Sequence, residues 1–147
     1  MGAQPYWYFT EYQPDFDAAL QELRQREFRA GRYNPVVPFL EFPLGPESPS
    51  PGSRHASIEE VVTAAGEDGT RSILDLQHIS TLPDFGVAAP LGDATLLDIF
   101  ETTQPNHVAI ETNMDFFEQI ERGHGIYIIV CESGKPSELF FAGYSYD

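Results

Sequence analysis

Residues 125–132 read GIYIIVCE, and residues 133–146 read SGKPSELFFAGYSY. In the first stretch Ile126, Ile128 and Val130 point one way and Tyr127, Ile129 and Cys131 the other. Both faces are apolar, so the strand is expected inside its sheet rather than at an edge. Ser133-Gly134-Lys135-Pro136 is turn chemistry, and Leu139–Tyr146 returns as an aromatic-rich strand. The pair predicts a C-terminal β-hairpin with a four- or five-residue loop.

Working back from the hairpin, Pro105 suits a first helical position, and Ile110, Met114, Phe117 and Ile120 form one apolar arc, predicting a helix to about Arg122. Asp93–Thr102 predicts a shorter helix with Leu96, Leu97 and Phe100 buried. Pro83 and Pro90 bracket an irregular stretch, and Thr70–Leu76 reads as a strand. Ser57-Ile58-Glu59-Glu60 is a capping box opening a helix that Gly66 ends. Residues 43–53 read PLGPESPSPGS, which cannot form a helix or an inner strand; a proline-rich loop, a candidate lid, is expected over residues 43–56. Tyr33–Phe42 is expected extended, limited to an edge by Pro35 and Pro38. At the N-terminus PYWYFTEY (5–12) favours a strand. Asp15–Ala30 then forms a helix capped by Asp15 and stopped by Gly31.

This irregular mixture, closed by a hairpin, predicts an α+β fold: one domain over residues 1–147, with a largely antiparallel sheet of four or five strands and helices packed on one face. The 147 residues suit a single domain.

The net charge of -15 comes from 23 acidic and 8 basic residues, with no long acidic run. An acidic surface opposes binding to nucleic-acid phosphates and to anionic membranes, and fits a basic protein partner or solubility alone. Cys131 is the single cysteine and lies in an apolar run, so neither an internal disulfide nor a multi-cysteine zinc site is expected. Met1–Tyr8 lacks the pattern of a signal peptide and no apolar stretch has the length of a membrane span, so the expected location is cytoplasmic.

Three residues stand out as candidate ligand-binding groups. Glu27 falls on the apolar arc of the first helix, where a buried carboxylate must be paired or shifted in pKa; the alternatives to a role as base or anchor are a salt bridge to Arg32 or Arg71, or a helix end that simply leaves the core. Arg32 follows the helix end in RAGRYNP (29–35), where an arginine can clamp an anion or simply complement the helix dipole. His124 lies between two glycines, which keep its ring accessible, although surface or supporting roles are the commoner fate of such histidines. His55, His78, His107 and His124 show no metal-ligand spacing among themselves, so no metal and no cofactor is assigned. No GxSxG, Walker or GxGxxG motif occurs, and no catalytic residue is assigned.

The opening PYWYFTEYQPDFDAALQELRQREFRAGRYNP and the ending FFAGYSYD resemble a family of small acidic bacterial proteins of uncharacterised function. The resemblance implies a bacterial cytoplasmic protein and carries no activity.

Three functions follow as expectations. The first is an acidic protein-binding or regulatory domain of the inhibitor or immunity type, without catalysis, acting on a basic partner. The second is a small-molecule binder or enzyme with a pocket between the first helix and the C-terminal hairpin, built on Glu27, Arg32 and His124. The third is a subunit of a homo-oligomer, such as a homodimer, pairing through the exposed edge of Leu139–Tyr146.

Overall fold

The computed structural model describes residues 3–45 and 47–146; Pro46 of the proline-rich loop and Asp147 lie outside them. Among the described residues nine principal elements are arranged as an α+β fold: β1 (Pro5–Glu11), α1 (Phe16–Ala30), α2 (Ile58–Ala65), β2 (His78–Ile79), β3 (Val87–Pro90), α3 (Asp93–Phe100), α4 (His107–Thr112), β4 (Gly125–Glu132) and β5 (Lys135–Tyr144). The strands form one sheet in the order β1-β5-β4-β3-β2.

The sheet is mixed: its longer pairings are antiparallel, as expected, and its two short ones are parallel. β1–β5 and β5–β4 are antiparallel, whereas β4–β3 and β3–β2 are parallel. Parallel neighbours need a crossover, and residues 91–124, carrying α3 and α4, supply it between β3 and β4. β3 is short and ends on Pro90, so its sequence carries almost no strand signal.

The hairpin forms with a tighter turn than expected. Glu132 pairs with Lys135, leaving Ser133 and Gly134 as the loop, both at positive φ (53° and 78°), as a type I′ turn requires. Pro136 has no N–H to offer the ladder, and the register shifts between Val130 and Cys131. The Cys131 N–H goes instead to the Pro105 carbonyl at 2.9 Å.

Apolar layers cover both faces of the sheet, not one. On one face Tyr6, Tyr8, Leu139 and Phe141 pack with Leu20 and Leu23 of α1, Val61 of α2, and Ile73, Leu74 and Leu76. On the other, Ile128, Val130, Phe140 and Ala142 pack with Leu96 of α3, Ile110 of α4, Phe116 and Ile120. The alternation along β4 and β5 feeds both layers, as strands apolar on each side demand.

Three local expectations give way. Thr70–Leu76 is a 3-10 turn at Ile73–Asp75 because the Ser72 hydroxyl caps Leu74 N–H and Asp75 turns inward to accept from Thr70 N–H at 2.8 Å. The helix expected to reach Arg122 stops at Thr112; the Asn113 side chain accepts from Asp115 N–H, and a 3-10 turn follows at Asp115–Gln119. Tyr33–Phe42 is not extended but turned, with a 3-10 turn at Phe39–Glu41. On either side of that turn Val37, Phe42 and Leu44 bury a small cluster of their own.

Candidate functional site

The last turns of α1 carry Glu27 on the same arc as Leu20 and Leu23, so its side chain is buried to 2% exposure. Gly31 ends the helix in the left-handed conformation (φ 73°), its N–H bonded back to Glu27 and Phe28 carbonyls. That turn swings Arg32 back along the helix. Its guanidinium donates from Nε to Glu27 Oε1 at 2.8 Å and from Nη2 to Oε2 at 2.7 Å, and Arg26 Nε adds a third bond to Oε2 at 3.0 Å. The partner of Glu27 is therefore Arg32, not Arg71. The Glu27 carboxylate, by hydrogen bond first, holds the Arg32 guanidinium above its ordinary pKa. A carboxylate forked by two guanidinium groups is a poor base and a good structural anchor.

Arg32 also donates from Nη1 to Ser50 Oγ at 2.7 Å, and Gly52 N–H donates to the Ala30 carbonyl at 2.8 Å. The proline-rich loop is thus strapped to the C-terminal end of α1. It also contributes Gly45 to a hollow of about 140 Å³ beside β1. Trp7, Tyr8 and Phe9 line that hollow, with Arg26, Glu27 and Arg32 on the α1 side and His107 and Glu111 on the α4 side.

His107 is the member that sequence inspection passes over. Its ring stacks on Phe9 at 3.7 Å between centroids, Nδ1 lies 2.7 Å from Glu138 Oε1, and Nε2 lies 3.3 Å from Glu111 Oε1. Burial pulls its pKa down, but the hydrogen bond and charge of Glu138, followed by those of Glu111, outweigh this, so the pKa is raised. The one sequence signal was the i, i+4 spacing of His107 and Glu111 on a helix.

His124 is not part of this constellation. It precedes β4, whose Gly125 pairs with Gly143, whereas His107 bonds to Glu138 of the same β5. Five residues of extended strand separate those positions by roughly 17 Å. His124 sits instead 3.8 Å from Glu121 and meets the ring of Phe85 edge-on at 5.3 Å. The structure therefore brings Glu27 and Arg32 together and leaves His124 at the other end of the sheet. The hollow lies between α1, β1 and α4 rather than between α1 and the hairpin. Among the described residues no group of three or more His, Cys, Asp or Glu side chains is arranged to hold a metal ion.

The edge expected for self-association is also relocated. β5 runs between β1 and β4, and Leu139, Phe140, Phe141 and Ala142 are fully buried. The outer strand on that side is β1.

Charge is laid out unevenly over the surface. Residues 91–121, which build α3, α4 and the turn after them, contain no Lys or Arg. Asp93, Asp98, Glu101, Glu111, Asp115, Glu118 and Glu121 on this layer are all exposed. Leu97 (51% exposed) and Val108 (67%) stand among them as apolar points. Several arginines are instead consumed on the opposite layer. Arg71 is buried beneath Phe39 and Phe42, Arg24 donates to the Leu74 carbonyl, and Arg32 is committed to Glu27.

No helix among the described residues is long and apolar enough to cross a membrane. No protein-family model matches the chain, and comparison with curated proteins and with solved structures finds no match.

Proposed function

We propose that this chain is a cytoplasmic protein-binding domain of the inhibitor or immunity type, without catalysis, that engages a basic protein surface through its α3–α4 layer. The carrying observation is the run from residue 91 to residue 121, which presents seven exposed carboxylates without one Lys or Arg and holds Leu97 and Val108 exposed in their midst. Carboxylates with no Lys or Arg among them steer a cationic partner and reject anionic ones, while exposed apolar side chains supply contact area once the surfaces meet. The resemblance to small acidic bacterial proteins is compatible with this reading and adds no mechanism to it.

A second reading, a small-ligand binder, is favoured by the hollow beside β1. Its volume of about 140 Å³ is small beside the 300–1,000 Å³ of ordinary ligand pockets, and its charged groups already satisfy one another. It therefore ranks below the first. Self-association ranks lower still, since two copies each carrying -15 repel.

The test is capture from native lysate on the immobilised chain, eluted in steps of salt, beside a variant carrying Asp98→Lys, Glu111→Lys and Glu118→Lys. The expected result is one basic protein released in stoichiometric amount at moderate salt from the parent chain and missing from the variant. A partner held equally by both chains refutes the α3–α4 layer as the interface, and the lack of any specific partner refutes the binding-domain reading.

A further inference from the structure

We infer that the outer edge of β1 is a strand-addition site, which takes an extended basic segment of the partner as a sixth strand of the sheet. This rests on the binding-domain reading above and names how a partner engages. Two hydrogen bonds fix the phase of the β1–β5 ladder. Tyr12 N–H donates to the Ser137 carbonyl at 3.3 Å, and Ser145 N–H donates to the Gln4 carbonyl at 3.0 Å. The register between those two points is unbroken. Directly opposed residues of an antiparallel pair alternate between bonded and non-bonded. Tyr6, Tyr8 and Thr10 therefore bond to β5, and Trp7, Phe9 and Glu11 direct their N–H and C=O groups away from the sheet. Among the described residues, none is bonded to the outward N–H of Trp7 or Phe9.

Natural sheets protect such an edge with lysines, bulges, a covering element or very short strands. β1 has seven residues, no lysine and no bulge, and its only proline is at its first position, outside the Trp7–Phe9 stretch. The hollow lies beside that stretch, walled by Arg26 and Arg32 on one side, His107 and Glu111 on the other, and Gly45 of the proline-rich loop, so an added strand must displace Gly45. Strand addition supplies main-chain hydrogen bonds at an edge of this kind, and flanking side chains choose the segment. Side chains of an added strand would alternate between the α4 side, where Glu111 is exposed, and the α1 side, where Arg26 is exposed. The complementary segment thus carries Lys or Arg at every second position and neutral residues between. Charge also decides against a second copy, because two β1 edges would bring together two chains of -15.

The probe is a synthetic heptapeptide of alternating lysine and threonine, added to the full chain at low salt while amide exchange is followed by NMR. In the free protein the Trp7 and Phe9 amides are expected to exchange fast, and those of Tyr6, Tyr8 and Thr10 slowly. The expected result is that the peptide slows Trp7 and Phe9 by about tenfold or more and leaves the other three unchanged. Peptide binding that perturbs only residues 93–121, with Trp7 and Phe9 still fast, overturns strand addition and leaves the binding-domain reading standing. No binding of the peptide anywhere at low salt overturns strand addition, while the binding-domain reading stands or falls on the capture experiment above. Protection of Trp7 and Phe9 that grows with protein concentration and needs no peptide makes the occupant a second copy and overturns the basic segment.

Discussion

Arg32 closes a fork on Glu27, with both guanidinium-to-carboxylate bonds between 2.7 and 2.8 Å and the carboxylate buried at 2% exposure. Removing one partner strands the other. Glu27→Ala is expected to destabilise the chain by about 3 kcal/mol, the usual cost of breaking a buried pair. The double replacement Glu27→Leu with Arg32→Met removes both charges and should recover at least 1 kcal/mol of that loss, roughly as apolar substitutes of buried pairs do. Urea denaturation of the three chains measures it. A double variant no more stable than Glu27→Ala would show that the fork contributes geometry that packing cannot replace, such as the strap to Ser50.

His107 gives the fold a pH dependence whose sign is fixed by its neighbours. Its folded pKa is raised, with Glu138 and Glu111 outweighing burial against Phe9. The charged ring is therefore bound more favourably in the folded chain. Its contribution to stability is full below the unfolded histidine value of about 6.5 and is lost as pH rises through the folded value. NMR titration should show the His107 ring titrating above the ordinary range, and Glu138→Gln should bring it down. An unchanged titration in Glu138→Gln would remove Glu138 as the source.

How much of this was legible beforehand depends on whether the signal was local. Asp15 and Gly31 bound α1 as expected, since caps and left-handed stops are set by single residues, whereas the place of Glu27 on the apolar arc leaves its burial open until the structure is seen. The apolar alternation of residues 126–131 correctly placed β4 inside the sheet. What escaped depended on contacts distant in sequence. β2 has two residues and exists through pairing with β3, and β3 shows no propensity of its own. Apolar periodicity could not reveal that Asn113 breaks the expected long helix or that Leu97 is exposed beside the buried Leu96. His107 gives little sequence signal because its partners lie in two places, Glu111 one turn on and Glu138 on β5. The glycines around His124 signal local accessibility alone, which says nothing of who shares its end of the sheet.

The strap across the end of α1 depends on two glycines meeting. Gly31 is left-handed at φ 73°, and a Cβ placed there would collide with the backbone of Gly52. Gly52 is itself at φ 94° but a Cβ on it meets nothing within 4 Å. Gly31→Ala is therefore expected to cost about 1–2 kcal/mol in backbone strain and to push the loop off the helix as well. Gly52→Ala should pay the strain alone. Limited proteolysis separates the two effects, with faster cleavage in residues 47–53 for Gly31→Ala than for Gly52→Ala. Equal cleavage would mean that the Arg32–Ser50 and Gly52–Ala30 bonds hold the loop without the close glycine contact.

Asp75 puts a buried carboxyl group among the tyrosines of the α1-side core, and its effect on them should be visible in alkaline titration. Burial, and after it the charge of Asp75, raises Tyr6 well above its ordinary pKa; the same two causes raise Tyr146, partly offset by Arg24. Tyr127 is raised by burial alone. Asp75→Asn keeps an oxygen to accept from Thr70 N–H and removes the charge. Tyr146 should then ionise at lower pH while Tyr127 stays where it was, a contrast that general loosening of the fold cannot produce. Because the folded tyrosines hold their protons longer than the unfolded ones, their contribution is intact below about pH 10 and falls as pH rises through the folded values, so the parent chain should lose stability steeply in alkali. In Asp75→Asn that loss should be shallower, since the folded and unfolded tyrosine values lie closer together. Tyr146 and Tyr127 moving together would show that the carboxylate acts by holding the Thr70–Asp75 turn in place, and its charge would then have no separate effect on the ring.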